Sequence, residues 1–152
     1  MMEHTEETDS TEGLSIDLSR RYPDKLLHEL VDLAHLGFGF GVTLMVGGSL
    51  ISGNVVSGRK YFEALMEQSI GKAVNNPRLV EALKARFQPF LDLYPESPES
   101  EIPDRPPSFI HLEGARFYAP MNSKPLMEDG VLWRGHINDV SGLFFGTLGS
   151  DS

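Results

Sequence analysis

The stretch "GFGFGVTLMVGGSLISGNVVSGRKYF", Gly37 to Phe62, sets seven glycines among alternating apolar residues and ends on a basic pair. Within it "VTLMV" places Val42, Leu44 and Val46 on one side of a strand, with Thr43 and Met45 on the other. "SLISGNVV" repeats the β-type pattern after Gly47-Gly48, and Ser57-Gly58 closes it. The tight turns that join two strands need positive φ at both central residues, so the Gly-Gly step predicts a β-hairpin.

Glycine crowding before a helix also raises the possibility of a phosphate cradle. That loop reads Gly, any four residues, then Gly-Lys-Ser/Thr, with the lysine on phosphate and the hydroxyl on magnesium. Gly53 and Gly58 have the glycine spacing, but Arg59, Lys60 and Tyr61 follow, so the lysine is one place late and no hydroxyl comes after it. Gly37, Gly39 and Gly41 recur every second residue, which is not the dinucleotide fingerprint, and no βαβ unit surrounds them. The glycines read as turn, bulge and close-packing positions, and no cofactor is expected.

Helices flank this core. "DKLLHELVDLAHL", Asp24 to Leu36, has Leu26, Leu27, Leu30, Leu33 and Ala34 at helical spacing, with Pro23-Asp24 as a start and Gly37 as a stop. "RKYFEALMEQSI" puts Tyr61, Phe62, Leu65 and Met66 on one face. A further helix is predicted from Pro77 to about Leu93, perturbed or ended near Pro89. Downstream, "SFIHLEGARFYAP" alternates, predicting Phe109, His111, Glu113 and Ala115 on one side and Ile110, Leu112 and Gly114 on the other. "GVLWRGHINDVSGLFFGTL" reads as two strands bent around Asn138-Asp139.

Charge sets the boundaries. Met1 to Gly13 carries five acids and no Lys or Arg, and "PESPESEIPDRPP", Pro95 to Pro107, holds five prolines and four acids against one Arg. The organisation expected is an acidic tail over 1–21, one α+β domain over 22–148 and a short tail over 149–152. Within the domain the helical insert spans about 58–93 and the acidic proline-rich linker about 94–108. The opening residues lack the basic start and apolar run of a signal peptide, and no apolar run is long enough for a membrane span. With no cysteine in the chain, thiolate chemistry is excluded and a reducing, cytoplasmic setting is expected. A net charge of −9 makes nucleic acid an unfavoured partner.

Catalytic signals are weak. His28 and His35 share a helix face two turns apart and read as edge-of-core residues rather than metal ligands. His111 and His136 lie on different strands, where a cross-strand contact is the ordinary reading, and Glu113 with Asp139 has no local support as an acid/base pair. No Gly-x-Ser-x-Gly elbow is present. The chain is therefore read as no enzyme, with neither catalytic residue nor metal site. The interaction candidates are Tyr61 and Phe62 at helical spacing, which with Phe87 read mainly as core, and Trp133, Phe144 and Phe145 in the last strands. Alternation turns one of the adjacent phenylalanines outward. Arg134, before Gly135 inside a strand, is placed to bind an anion or pair with an acid.

Two resemblances follow from these residues. The plan of an N-terminal helix, the hairpin "VTLMVGGSLISGNVV", then "FIHLEGARFYAP" and "VLWRGHINDV", resembles the small Sm-like barrel, in which an Arg-Gly step such as Arg134-Gly135 precedes the last turn. The chain lacks that family's Asp…Met-Asn base-binding loop. The fold expected is a small Sm-like/SH3-like antiparallel β-barrel or strongly bent sheet, with an N-terminal helix and a helical insertion. The second resemblance is closer. Gly47-Gly48, Ile51-Ser52-Gly53, Tyr61-Phe62, Phe109–Leu112, Trp133-Arg134-Gly135 and Phe144–Gly146, in this order, are similar to gas vesicle accessory proteins of the U type (GvpU). That resemblance implies a cytoplasmic, non-enzymatic factor. It implies a protein that self-associates as a homo-oligomer and supports gas vesicle assembly or clustering, with the vesicle shell or other gas vesicle proteins as partners. The alternatives are an Sm-like RNA-binding or regulatory module and a small enzyme with a pocket of His111, Glu113 and His136.

Overall fold

A computed structural model describes residues 25–94, 107–119 and 124–149. The acidic tail expected over 1–21, nearly all of the linker expected over about 94–108, and all but the first residue of the tail expected over 149–152 lie outside the described residues.

The first helix, α1 (Lys25–His35), ends as its sequence predicts. Gly37 takes φ +103°, its amide donates to the Ala34 carbonyl at 3.0 Å, and the Phe38 amide donates to the Leu33 carbonyl at 3.0 Å. This is the left-handed glycine stop that satisfies the last carbonyls of a helix. The hairpin follows as β1 (Phe40–Val46) and β2 (Ser49–Val56), with Val46 opposite Ser49 and φ of +56° and +83° at Gly47 and Gly48. Only a residue without a side chain takes both positions cheaply.

Two helices come next, α2 (Gly58–Lys72) and α3 (Pro77–Asp92). Ser57 caps α2 by accepting from the Lys60 amide, and Asn76 caps α3 by accepting from the Leu79 amide, with Pro77 in the first turn. As the bounds of about Pro77 to Leu93 anticipated, α3 reaches Asp92, and of the two outcomes left open at Pro89 it continues through that residue. Pro89 falls in the last turn, where little helix remains to be disrupted. Arg59 Nη1 donates to the Leu91 and Tyr94 carbonyls, both at 3.3 Å, satisfying groups that the helix end leaves open. The basic residue that followed the glycine-rich stretch is therefore a brace for α3.

The remaining strands, β3 (Phe109–Tyr118), β4 (Val131–His136) and β5 (Val140–Phe145), complete one antiparallel sheet in the order β4-β3-β2-β1-β5. A 3-10 turn, Ile137–Asp139, joins β4 to β5. The sheet is open, not a closed barrel, so of the two expected architectures the bent sheet is the one formed. The bend follows from the connection. Four strand spacings of roughly 4.8 Å put the two edges about 19 Å apart in a flat sheet. The four-residue step from His136 to Val140 reaches no more than about 14 Å.

One face of the sheet is covered by α1. Leu27, Leu30 and Ala34 pack onto Val42, Leu44, Ile51, Val55, Ile110, Leu112 and Ala115, with Trp133, Val140 and Leu143 at the margin. At roughly 1.5–3 kcal/mol per fully buried large aliphatic side chain, this cluster supplies most of the driving force for folding. Ala115 corrects the alternation predicted for β3: it lies on the face of Ile110 and Leu112, not with His111. A bulge at Glu113-Gly114, with Gly114 at φ +59°, inserts one residue and moves everything after it to the opposite face.

On the other face the chain end folds back across β1 and β2. Thr43 Oγ1 donates to the Gly146 carbonyl at 2.9 Å, and Ser52 Oγ accepts from the Leu148 amide at 2.7 Å. The two buried hydroxyls are 3.2 Å apart, and the Tyr118 hydroxyl donates to the Leu148 carbonyl at 2.9 Å.

Candidate functional site

The Arg134-Gly135 step is where the sequence placed its strongest polar candidate. Strand register sets Arg134 directly opposite His111. Its Nε donates to His111 Nε2 at 3.1 Å, and its guanidinium carbon sits 3.5 Å from the Phe109 ring centre and 5.6 Å from that of Phe62. The rings of Tyr61 and Tyr94 close the other sides of His111, at 4.8 and 5.6 Å between centroids. His111 is 2% exposed. Burial first, and the Arg134 charge second, lower its pKa to about 3. Burial also raises the Tyr61 phenol, against the pull of Arg134. Arg134 is thus stacked and hydrogen-bonded inside a packed aromatic cluster, with its guanidinium engaged by the protein itself.

Trp133 points to the opposite face and packs at the margin of the α1 core. Its indole lies against Gly135, where a Cβ would overlap the ring. The glycine beside Arg134 therefore serves close approach by its own strand's tryptophan. Gly58 plays the same part for Tyr94, whose ring occupies the space of a Cβ there. Phe62 is buried between α2, α3 and the sheet and stacks on Phe90 at 5.1 Å, while Tyr61 is half-buried at the rim. Sequence reading missed Tyr94 and Phe90 as partners of this cluster. The helical phase of α3 carries Phe90, but which side chain it meets, and where Tyr94 turns beyond the helix end, depend on pairings distant in the chain.

Phe144 and Phe145 behave differently. Strand alternation was expected to bury one of them, yet they are 45% and 58% exposed. They pair level with Thr43 and Val42, so they stand on opposite faces of β5. Among the described residues β5 is an edge strand, with no strand beyond it to supply neighbours on either face. Its sequence, "VSGLFF", contains no charge and no proline. At the other edge, the one charged side chain of β4 is Arg134, which turns inward. The β5 edge thus lacks the charges and prolines by which sheets ordinarily discourage pairing with another chain, whereas an inward-turned charge such as Arg134 is one of those devices at β4.

A cleft of about 150 Å³ opens between α1, the end of α3 and the start of β3, lined by Val31, Asp32, His35, Tyr94, Ser108 and His111 among others. Burial, then Glu29, raises the Asp32 carboxyl. The trio His111, Glu113 and His136 is not assembled there. Glu113 pairs with Lys60 at 3.5 Å on a separate cleft, and His136 stacks on Phe109 at 4.3 Å. His28 and His35 each keep a buried ring Nε2 without a partner. Among the described residues no group of three His, Cys, Asp or Glu side chains is placed to hold a metal ion, and no helix is long and apolar enough to cross a membrane.

The described residues therefore define an α+β protein whose candidate surfaces are sheet edges and exposed aromatics. A family model described as gas vesicle protein GvpU-like matches residues 24–148, and the chain belongs to that GvpU-like family. No curated protein and no solved structure matches it significantly.

Proposed function

We propose that this chain is a non-enzymatic, cytoplasmic gas vesicle accessory protein that self-associates and supports vesicle assembly or clustering through contacts with the vesicle shell or other gas vesicle proteins. Family membership supports the vesicle setting. The observation that carries self-association is that the two open edges have no means of pairing with each other inside one copy. Each neighbouring pair in the order β4-β3-β2-β1-β5 is antiparallel, so β4 and β5 run in the same direction around the bend. Two consecutive parallel strands need a crossover of about a dozen residues. The connection here is the three-residue turn Ile137–Asp139. The uncharged β5 edge is thus left for another chain, and Phe144 and Phe145 offer apolar cover above and below whatever pairs with it.

The test is to add the purified chain to isolated gas vesicles and follow clustering by light microscopy and scattering. Concentration-dependent clustering is expected. Vesicles that stay dispersed and retain no bound protein after flotation would overturn the reading.

A further inference from the structure

Helix α3 has a broader apolar stripe than α2 covers. Leu79, Leu83, Arg86 and Phe90 follow one another at steps of four, three and four residues, within one face of the helix. Leu79 and Phe90 are both 45% exposed, Arg86 is exposed and Leu83 half-buried. This alternation of steps is that of a seam on which a second helix lies. One position in the seam is charged.

The outer face of α1 carries a matching seam. Leu26 (44% exposed), Glu29 (exposed) and Leu33 (half-buried) stand at steps of three and four. Laid antiparallel, steps of four on one helix meet steps of three on the other. The layers then become Leu83 with Leu33, Arg86 with Glu29, and Phe90 with Leu26. Neither Arg86 nor Glu29 enters an ion pair among the described residues. Among the described residues α1 and α3 have no extensive packing within one copy and approach only at the cleft beside the end of α3. The reason is that α1 covers one face of the sheet while α2 and α3 sit at the aromatic cluster on the other.

We propose that the α3 seam is a docking surface for α1 of a second copy, aligned by the pair Arg86–Glu29. This rests on the self-association put forward above and deepens it. A single self-complementary contact stops at a dimer, whereas two distinct contacts per copy, the β5 edge and this seam, let assemblies grow. The contact is short, three layers and one exposed ion pair, so it is weak individually and effective in number.

The test uses the full chain and two charge reversals, Arg86→Glu and Glu29→Arg, with association read from sedimentation over a concentration series. Each variant alone weakens association at least about fivefold, the effect of an exposed pair turned into a like-charge contact. An equimolar mixture of the two recovers wild-type behaviour, since each altered seam meets its complement. Either single variant associating like wild type, or a mixture as weak as its components, overturns the proposal while leaving self-association standing. A wild-type chain that is monomeric at every concentration removes both.

Discussion

Arg134 Nε donates to His111 Nε2 across the β3–β4 ladder at 3.1 Å. Because Nε2 accepts that bond, the imidazole is neutral and its proton resides on Nδ1. Aromatic rings shut in the pair: Phe62, Tyr61 and Tyr94 around the imidazole, and Phe109 beneath the guanidinium. A cation and a buried titratable base are thereby held together, and the fold favours the neutral imidazole.

Acid should therefore loosen the fold. His111 is lowered from 6.5 to about 3, so its contribution to stability is whole above pH 6.5 and is lost as the pH falls from 6.5 toward 3. The slope is about 1.4 kcal/mol per pH unit, or roughly 2 kcal/mol by pH 5. The buried-side carboxyl of Asp32, which is raised, acts in the opposite sense at lower pH. Urea midpoints measured at pH 7.5 and pH 5 check this. His111→Gln should show a much smaller difference between the two, and an unchanged difference would count against the assignment.

Charge alone does not replace Arg134. Lysine has no planar group to stack on Phe109 and no Nε placed at His111. Arg134→Lys should cost about 1–3 kcal/mol, the range for stranding one buried acceptor. A thermal melt a few degrees below wild type is the expected reading.

Gly135→Ala should cost about 1–3 kcal/mol through overpacking, since the new methyl enters the space of the Trp133 indole. Trp133 is the single tryptophan in the chain, so its emission reports the displacement without interference. A red shift with loss of stability is expected; a spectrum like that of wild type would mean that the ring does not rest there.

Ser52→Ala removes the acceptor of the Leu148 amide and one member of the Thr43–Ser52 hydroxyl pair. A loss of about 1 kcal/mol is expected. Amide exchange at Leu148 should rise more than exchange in the centre of β2, which distinguishes release of the chain end from general weakening.

Much of this was legible in the sequence because it depends on short-range rules. Two adjacent glycines between alternating runs define the hairpin, and Gly37 after an amphipathic stretch defines the end of α1. The β3 alternation failed at one residue, because Gly114 marks a bulge only when the neighbouring strand is known. The same limit hid the role of Gly135: a glycine in a strand announces close approach without naming what approaches. Six interaction candidates divided on grounds invisible to local pattern. Tyr61, Phe62, Trp133 and Arg134 are drawn into packing by pairings distant in the chain. Phe144 and Phe145 stay exposed because β5 falls at the sheet edge. Strand order, not strand sequence, decides that outcome.

The open β5 edge is the centre of the proposal, and sedimentation of the wild-type chain beside Phe144→Lys/Phe145→Lys tests it most directly. Lysine is the side chain by which natural edge strands avoid pairing, and both positions are exposed, so the fold should survive as judged by circular dichroism. The expected result is a wild-type mass that rises with concentration and a double variant that stays close to 16.9 kDa until far higher concentration, where only the weak helical seam remains to join copies. A folded double variant that associates like wild type, or a wild-type chain that remains monomeric throughout, would contradict it.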